Sequence, residues 1–374
     1  MEYRKLGKTG LKVSQIGFGA MRLPMTGEEE DRVVDRELAI PMIHRAFEAG
    51  VNYIDTAVGY CNSDSERAVG EALKGWREKI VVSTKNHYYG ESEKEWWQLL
   101  ENSLTRLDKE SIDIYNHHGI TWKKYVEDVE PRVGAWMRKA YDQGLIKHIC
   151  FSFHDTNENL IKLIDTGYAE SITLQYNILD QSLEEGITYA GERNTGIVVM
   201  GPVGGGRLGI RSEVFEQLIP GVERVPELAL RFVLANPHVT MALSGMSTME
   251  HVEENIRTAS DGRGLTEEHM RMIHEHLGRM KEMATGYCTG CGYCLPCPHE
   301  VAIAKIFERY ALGQVYGLWE HARKSYERIG TVSWDKGARA DACVECGQCE
   351  EKCPQKIPII KQLKEAHEKL TSKD

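Results

Sequence analysis

Short apolar segments alternate with stretches of helical spacing over most of the chain. Eight of these segments predict β-strands that are buried on both faces, because short runs of apolar residues are typical of such strands. A hairpin with its turn at Lys8-Thr9-Gly10 is predicted before them, within residues 1–10. The eight predicted strands are 13–19, 52–55, 80–84, 112–116, 148–152, 171–175, 196–200 and 239–244.

The stretches between the predicted strands place apolar residues three and four positions apart, which predicts amphipathic helices. Three such faces are Ala39/Ile43/Ala46/Phe47, Trp97/Leu100/Leu104/Leu107 and Val133/Trp136/Met137/Ala140. Gly144 and Asn236-Pro237 each follow a predicted helix and are expected to end it. Eight strand–helix alternations over about 250 residues predict a (β/α)8 TIM barrel. A doubly wound sheet is the alternative, but residues 16–21 lack its glycine-rich fingerprint.

Polar residues stand at the predicted ends of three successive strands. Asp55 ends the second strand and Tyr60 follows it closely, while Lys85 and His118 come after the third and fourth strands. Each alone has an ordinary explanation, such as a carboxylate that caps a turn or a surface lysine. The C-terminal strand ends of a parallel barrel meet at one face, where the chemistry of such barrels collects. We therefore expect these four side chains to form one site.

Eight of the ten cysteines fall into two groups near the C-terminus. The groups are Cys288, Cys291, Cys294 and Cys297, and then Cys343, Cys346, Cys349 and Cys353. The second group has the spacing of a bacterial ferredoxin, and the first is one residue shorter before its last cysteine. Two structural zinc sites are the alternative, although zinc sites usually show paired cysteines rather than groups of four. We predict domains of residues 1–283 and 284–374, the second a small, mostly α-helical, ferredoxin-like iron–sulfur domain.

Composition narrows the function classes. The net charge of −10 argues against a nucleic-acid surface and against an anionic membrane partner. No apolar run is long enough for a membrane span, and the N-terminus has no apolar signal region. A cytoplasmic location is expected, where a reducing environment favours metal binding by the cysteines over disulfides.

Several motifs resemble the aldo-keto reductases. They are Asn52-Tyr53-Ile54-Asp55-Thr56-Ala57, Tyr60, Ser65-Glu66, residues 69–73, Thr84-Lys85 and residues 113–118. The resemblance extends over about residues 1–260, and the cysteine groups resemble the ferredoxin-like domain that a subset of this family carries at its C-terminus. The resemblance to the aldo-keto reductases implies an NAD- or NADP-dependent oxidoreductase that interconverts a small-molecule carbonyl and an alcohol.

The resemblance implies a role for each of the four site residues. Tyr60 would be the general acid that protonates the carbonyl oxygen. Lys85 would lower the pKa of the phenol, and Asp55 would hold Lys85 in place. His118 would polarise the carbonyl through a ring N–H. His118 is preferred to His117 because it holds the family's position five residues after Asp113.

The resemblance also implies contacts with the nicotinamide cofactor, among which the loop from Met200 to Gly206 would surround the pyrophosphate. The residues in these positions are Ser152, Gln175, Met200, Gly201, Pro202, Val203, Gly204, Gly206, Gly245, His251, Glu254 and Asn255. Gly245 and His251 stand where many NADP-dependent members have Lys and Arg, which leaves the choice between NAD and NADP open. Arg207 and Arg257 are the alternative cations.

For the cysteines, the ferredoxin resemblance implies two [4Fe–4S] clusters with crossed ligation. One cluster would use Cys288, Cys291, Cys294 and Cys353, and the other Cys343, Cys346, Cys349 and Cys297. A cluster moves one electron whereas nicotinamide transfers a hydride, so we expect the clusters to be structural or to serve an external electron-transfer partner. The alternative functions are an electron-transfer protein and a redox sensor, in which the barrel turns over no carbonyl.

Overall fold

The computed structural model describes residues 1–28, 31–209, 211–285, 288, 292–354 and 356–372, with the side chains at 213 and 280–285 left out. The packing of the chain defines two compact units. The barrel unit contains residues 1–205 and 229–264, and the cysteine unit contains residues 206–228 and 265–374. This division of the packing differs from the domain boundary between residues 283 and 284, which stays a prediction.

Twelve strands occur in the described part of the chain. They are β1 (Tyr3–Lys5), β2 (Lys12–Ser14), β3 (Ile16–Gly19), β4 (Met25–Thr26), β5 (Val33–Val34), β6 (Tyr53–Asp55), β7 (Val81–Asn86), β8 (Ile112–Ile120), β9 (Ile146–Phe153), β10 (Ser171–Gln175), β11 (Gly196–Met200) and β12 (Met241–Gly245). Eight of these described strands, β3 and β6 to β12, pair in parallel in sequence order, and β12 pairs with β3 to close the barrel. The predicted TIM barrel is confirmed.

The N-terminal hairpin differs from its prediction. β1 pairs antiparallel with β2, so the hairpin extends to Ser14 and includes the first residues of the predicted strand 13–19. Only β3 of that segment belongs to the barrel. The turn between β1 and β2 packs against the start of β11, where a Cβ on Gly7 would meet the backbone nitrogen of Gly196 at 2.1 Å. Leu6 and Val13 therefore join the barrel's internal core, beneath Tyr53.

The helices follow the strands as the alternation predicts. They are α1 (Arg36–Glu48), α2 (Ser65–Ala72), α3 (Glu93–Leu107), α4 (Trp122–Lys124), α5 (Gly134–Asp142), α6 (Asn157–Asp165), α7 (Glu184–Glu192), α8 (Glu213–Glu216), α9 (Val225–Ala235), α10 (Met249–Ser260), α11 (Glu267–Thr285), α12 (Ile303–Tyr316), α13 (Trp319–Glu327), α14 (Gln348–Lys352) and α15 (Ile359–Thr371). A π-helical segment, Tyr125–Val133, joins α4 to α5. Within the residues described here, no helix combines the length and the apolar character needed to cross a bilayer.

The buried face of α3 corrects one detail of the helix prediction. Trp96, not Trp97, is fully buried, together with Leu100 and Leu107. The indole N–H of Trp97 donates a hydrogen bond to Glu93 at the helix surface. Both tryptophans fit a spacing of three or four residues to Leu100, so periodicity alone does not distinguish them.

In the cysteine unit, α12, α13 and α15 pack together around apolar side chains such as Phe307 and Leu363. The segment Gly206–Leu228 folds with these helices, although in sequence it directly follows barrel strand β11. Ser212 Oγ donates a hydrogen bond of 2.8 Å to the backbone oxygen of Tyr316 at the end of α12. Phe215 is fully buried and stacks on the Tyr316 ring. Within the cysteine unit, polar and aromatic contacts thus join this segment to the end of α12.

Candidate active site

The register of three neighbouring strands brings the first site residues together. Asp55 ends β6 beside Ser83 of β7, and Lys85 of β7 lies beside Asn116 of β8. The Asp55 carboxylate accepts hydrogen bonds from Lys85 Nζ and from Ser83 Oγ, the latter at 2.8 Å. Asn116 Nδ2 donates to Ser83 Oγ at 3.0 Å. Parallel pairing therefore builds one polar network at the C-terminal ends of these strands.

Lys85 is a buried cation. It lies within β7, not after it as predicted, and is 1% exposed. Its Nζ donates to Asp55 and, at 2.8 Å, to the backbone oxygen of Thr56. Burial works to lower the pKa of Lys85, but Asp55 and Tyr60 outweigh burial, so the pKa is raised. Lys85 is therefore protonated at neutral pH.

Tyr60 packs between Lys85 and His118. The centroid of its ring is 4.8 Å from Lys85 Nζ and 6.2 Å from the centroid of the His118 ring, which it meets edge to face. Burial raises the pKa of Tyr60, and the opposing effect of Lys85 is too small to reverse the shift. Lys85 thus acts to lower the pKa of Tyr60, as expected, but burial is the larger effect. A raised pKa keeps the phenol protonated at neutral pH, which is the form that donates a proton.

His118 and His117 face different surroundings. His118 is half-buried beside Tyr60, and its pKa falls to about 3, first through burial and then through nearby cations that include Lys85. Its imidazole is neutral near pH 7 and has one N–H to donate. His117 is buried against Tyr168, whose hydroxyl lies 3.0 Å from His117 Nε2. The geometry thus places His118, not His117, next to Tyr60.

His117 should make the fold sensitive to acid. Burial lowers its pKa to about 3 from an ordinary value of 6.5, so the unfolded chain takes up a proton that the folded chain excludes. This share of the stability is complete above pH 6.5 and is lost as the pH falls toward 3. The free energy of unfolding, measured by urea denaturation at pH 7, 6 and 5, should therefore fall less steeply with decreasing pH in His117→Phe than in wild type. The two slopes should differ by up to about 1.4 kcal/mol per pH unit. His44→Gln, in α1, is the control, and equal slopes in His117→Phe and wild type would contradict the expectation.

The proposed cofactor contacts lie on the same rim of the barrel. Ser152 is buried near the end of β9, and Gln175, Met200 and Gly245 are the last residues of β10, β11 and β12. Because all eight barrel strands are parallel, these positions share one face with Asp55. The structure therefore places the two predicted sets of residues around one end of the barrel.

The loop after β11 is rich in glycines with positive φ. Gly201, Gly204, Gly205 and Gly206 all have positive φ, with values from +59° to +98°. Successive backbone N–H groups in a turn conformation can form a concavity that suits phosphate oxygens, which agrees with the expected pyrophosphate contact. A Cβ on Gly205 or Gly206 would have open space on all sides, so the close approach of a ligand is not obstructed by the protein. Pro202 and Val203 complete this loop.

Arg22 is a cation at this loop that sequence reasoning missed. Its guanidinium donates to the backbone oxygen of Gly205 at 3.4 Å. Its aliphatic stem lies 3.6 Å from the position that a Cβ on Gly245 would occupy. Arg22 follows the first barrel strand, whereas the cations considered from the sequence were Arg207 and Arg257. The position of Arg22 shortly after β3 could have indicated this contact, because β3 ends on the same rim of the barrel.

The remaining proposed contacts belong to α10. Thr248 caps this helix by accepting a hydrogen bond from the backbone N–H of His251 at 3.2 Å. Asn255 is buried, and its amide donates to Ser244 Oγ at 2.9 Å. This bond joins α10 to β12, which gives Asn255 a structural role whether or not it contacts the cofactor. Glu254 is half-buried on the same helix.

Cysteines from both groups line one cavity in the cysteine unit. They are Cys294, Cys297, Cys343, Cys346 and Cys349. Cys353 is buried but is not part of this cavity wall, Cys288 is half-buried, and Cys291 lies outside the described residues. Cys294 and Cys297 of the first group thus both line the cavity with cysteines of the second group. The crossed arrangement assigns only Cys297 to the second cluster, and it stays a prediction.

The number of cysteines suits clusters. Each group supplies four cysteines, and a [4Fe–4S] cluster is held by four separate thiolates. Among the described residues, no three His, Cys, Asp or Glu side chains are grouped so that they could hold one metal ion.

Comparisons with known proteins agree with this structure. The model of the aldo/keto reductase family matches residues 15–220, and that of the 4Fe-4S dicluster domain matches residues 287–357. The oxidoreductase YqkF of Bacillus subtilis is 30% identical over 74% of this chain and 96% of its own length. L-galactose dehydrogenase of Arabidopsis thaliana is 26% identical over 76% of this chain and 96% of its own.

Among solved structures, an aldo-keto reductase from Bacillus halodurans in its holo form has a TM-score of 0.65 and 28% identity. The match covers 74% of this chain and 96% of that protein. The assignment rests on two family models, on relatives aligned over nearly their whole length and on a shared barrel fold. The chain therefore belongs to the aldo/keto reductase family of oxidoreductases and carries a 4Fe–4S dicluster domain after its barrel.

Proposed function

We propose that this oxidoreductase interconverts a carbonyl and an alcohol by NAD- or NADP-dependent hydride transfer. The observation that carries the proposal is the position of Tyr60, whose ring lies against the Lys85 ammonium and the edge of His118 at the barrel's catalytic face. When bound, the reduced nicotinamide supplies the hydride. The loop of positive-φ glycines and the strand-end residues Ser152 and Gln175 are the proposed contacts for it.

Each catalytic residue has a protonation state that suits its role. Tyr60 is protonated and would donate its proton to the carbonyl oxygen, as a general acid does. Lys85, held by Asp55, would stabilise the phenolate that remains, because an adjacent cation favours the charged form. Neutral His118 would donate a ring N–H to the same oxygen and fix its position. In the reverse direction, the phenolate would accept the proton of the alcohol.

An anaerobic assay tests this function directly. A panel of aldoses, aldehydes and ketones would be incubated with NADH and with NADPH, and the absorbance of the reduced cofactor would be followed. Aldoses are included because one relative is named for a sugar substrate. We expect cofactor oxidation with at least one carbonyl. Tight binding of the cofactor without turnover of any carbonyl would favour the electron-transfer or sensor alternatives.

Cofactor choice is expected to be relaxed. Gly245 and His251 provide no strong cation for the 2′-phosphate of NADP, which normally needs one. Competitive titration of NADH and NADPH should therefore give affinities within about tenfold of each other. Arg22→Met and Arg207→Met serve as comparisons, since either arginine would be the source of an unexpected preference. A hundredfold preference for NADPH that one of these changes abolishes would identify that residue and contradict the expectation.

The cysteine unit is proposed to bind two [4Fe–4S] clusters through crossed ligation. About eight irons per chain are expected. Under crossed ligation, Cys297→Ser and Cys343→Ser affect the same cluster, so the double variant should keep about four irons. Cys297→Ser combined with Cys288→Ser affects both clusters and should lose nearly all iron. Cys61→Ser, outside both groups, is the control.

Iron analysis and cluster absorbance after anaerobic purification would measure these outcomes. The reverse pattern, with iron lost from Cys297→Ser/Cys343→Ser and half retained in Cys297→Ser/Cys288→Ser, would mean that each group holds its own cluster. Zinc in place of iron would refute the clusters altogether.

A further inference from the structure

Lys124 is attached to the strand that carries His118. Its Nζ donates a hydrogen bond of 2.9 Å to the backbone oxygen of Gly119, the residue after His118. The same ammonium lies 4.7 Å from the centroid of the Tyr89 ring, and the Tyr89 hydroxyl donates to the backbone oxygen of His118 at 3.0 Å. These contacts hold the cation close to the proposed catalytic histidine.

The ammonium of Lys124 has no carboxylate partner among the residues that the structure describes, although it is half-buried. The acidic side chains of this region are engaged elsewhere. Asp128 pairs with Arg132 at 2.8 Å, and Glu127 lies 3.9 Å from Lys123. Asp155 accepts hydrogen bonds from the backbone of Trp122 and Thr156 and from the Asn159 amide. A partly buried charge without a counter-ion is unfavourable unless a ligand supplies one.

Two lysines influence His118 although the protein is acidic. Lys85 and Lys124 both act in the direction of lowering the pKa of His118, after the larger effect of burial. Lys85 is already paired with Asp55, the one acidic residue of the proposed catalytic set. Lys124 is therefore the lysine near His118 whose charge is available for a ligand of opposite sign, in a chain of net charge −10.

We propose that Lys124 binds an anionic group, a carboxylate or a phosphate, on the carbonyl substrate whose oxygen lies between Tyr60 and His118. This inference rests on the proposed function and adds a substrate class to it. An ammonium on a flexible stem is a point charge that accepts either anion. Lys124 is thus assigned to substrate specificity and takes no part in proton transfer.

Matched substrate pairs test the assignment in the full-length protein. One pair is para-carboxybenzaldehyde and its methyl ester, and the other is glyceraldehyde phosphate and glyceraldehyde. The wild-type kcat/KM should be about tenfold or more higher for the anion of at least one pair at low ionic strength. The pair that responds identifies the anion. Lys124→Met should lower this ratio about tenfold, Lys124→Arg should retain it, and Lys123→Met, which removes a neighbouring charge, should leave it unchanged.

The outcomes separate this inference from the proposed function. Equal efficiency within both pairs in the wild type, or an unchanged ratio in Lys124→Met, overturns the role of Lys124 while carbonyl reduction stands. If none of the four aldehydes is reduced, the full carbonyl panel decides on the proposed function. Calorimetric binding of para-carboxybenzyl alcohol then decides on Lys124 without turnover. About tenfold weaker binding in Lys124→Met than in Lys123→Met supports the anion site, and equal binding overturns it.

Discussion

Replacing Tyr60 by phenylalanine should lower turnover by about 10² or more, the usual contribution of a general acid. The change removes only the hydroxyl, so the ring can keep its packing beside Lys85 and His118. Because the proposed cofactor contacts lie on other strands, cofactor affinity should remain near the wild-type value. Steady-state assays with the best carbonyl of the panel, and fluorescence titration of the reduced cofactor, would measure the two quantities.

Tyr141→Phe provides the matched control, since it removes a phenol from the exposed surface of α5. It should leave both quantities unchanged. Unaltered turnover in Tyr60→Phe would remove Tyr60 from the mechanism. A parallel loss of cofactor affinity would instead indicate that the phenol contributes to binding.

Lys85→Met should be the most destabilising of the site variants, by about 3–5 kcal/mol, the range seen when one partner of a buried ion pair is removed. Asp55 is 2% exposed and would retain its Ser83 hydrogen bond but lose its counter-ion. The remaining carboxylate would have to stay charged in a poorly hydrated site or take up a proton. Urea denaturation at pH 7 would measure the change in the free energy of unfolding.

The double variant Asp55→Asn/Lys85→Met separates stability from catalysis. Replacing both charges removes the uncompensated carboxylate, so most of the lost stability should return, whereas turnover should stay low because Tyr60 lacks its cation. Lys139→Met removes a cation from the surface pair with Glu93, which is half-exposed, and should leave stability near wild type. A double variant as unstable as Lys85→Met would show that the ammonium stabilises the fold through contacts other than Asp55.

Much of the barrel was predictable because its strands are short apolar runs with recognisable ends. The predicted bounds of β10 and β11 agree with the structure, since polar or glycine residues border these runs. β7 and β8 extend beyond their predicted ends and include Lys85 and His118. The backbone of such residues continues the strand pairing while their polar side chains face the site. A prediction from apolar runs ends the strand at the first polar residue.

Other features of the site depend on strand register and burial, which the sequence does not display. Ser83 and Asn116 entered the network because β6, β7 and β8 align them with Asp55 and Lys85. The direction of the Tyr60 pKa shift followed from burial, which outweighs the nearby ammonium. A sequence motif identifies which groups lie together. The net pKa shift of a group also depends on its burial, which the motif does not reveal.

The segment Gly206–Leu228 has a consequence for the order in which the chain folds during synthesis. It leaves the ribosome before β12, yet Ser212 and Phe215 find their partner Tyr316 only at the end of α12. At roughly 5–20 residues per second, that partner appears on the order of ten seconds later. All residues of the barrel unit have by then been synthesised. During this interval the nascent chain carries Phe215 without the aromatic ring on which it stacks in the finished fold. Phe215 is therefore an apolar side chain whose packing is completed only after synthesis of the barrel.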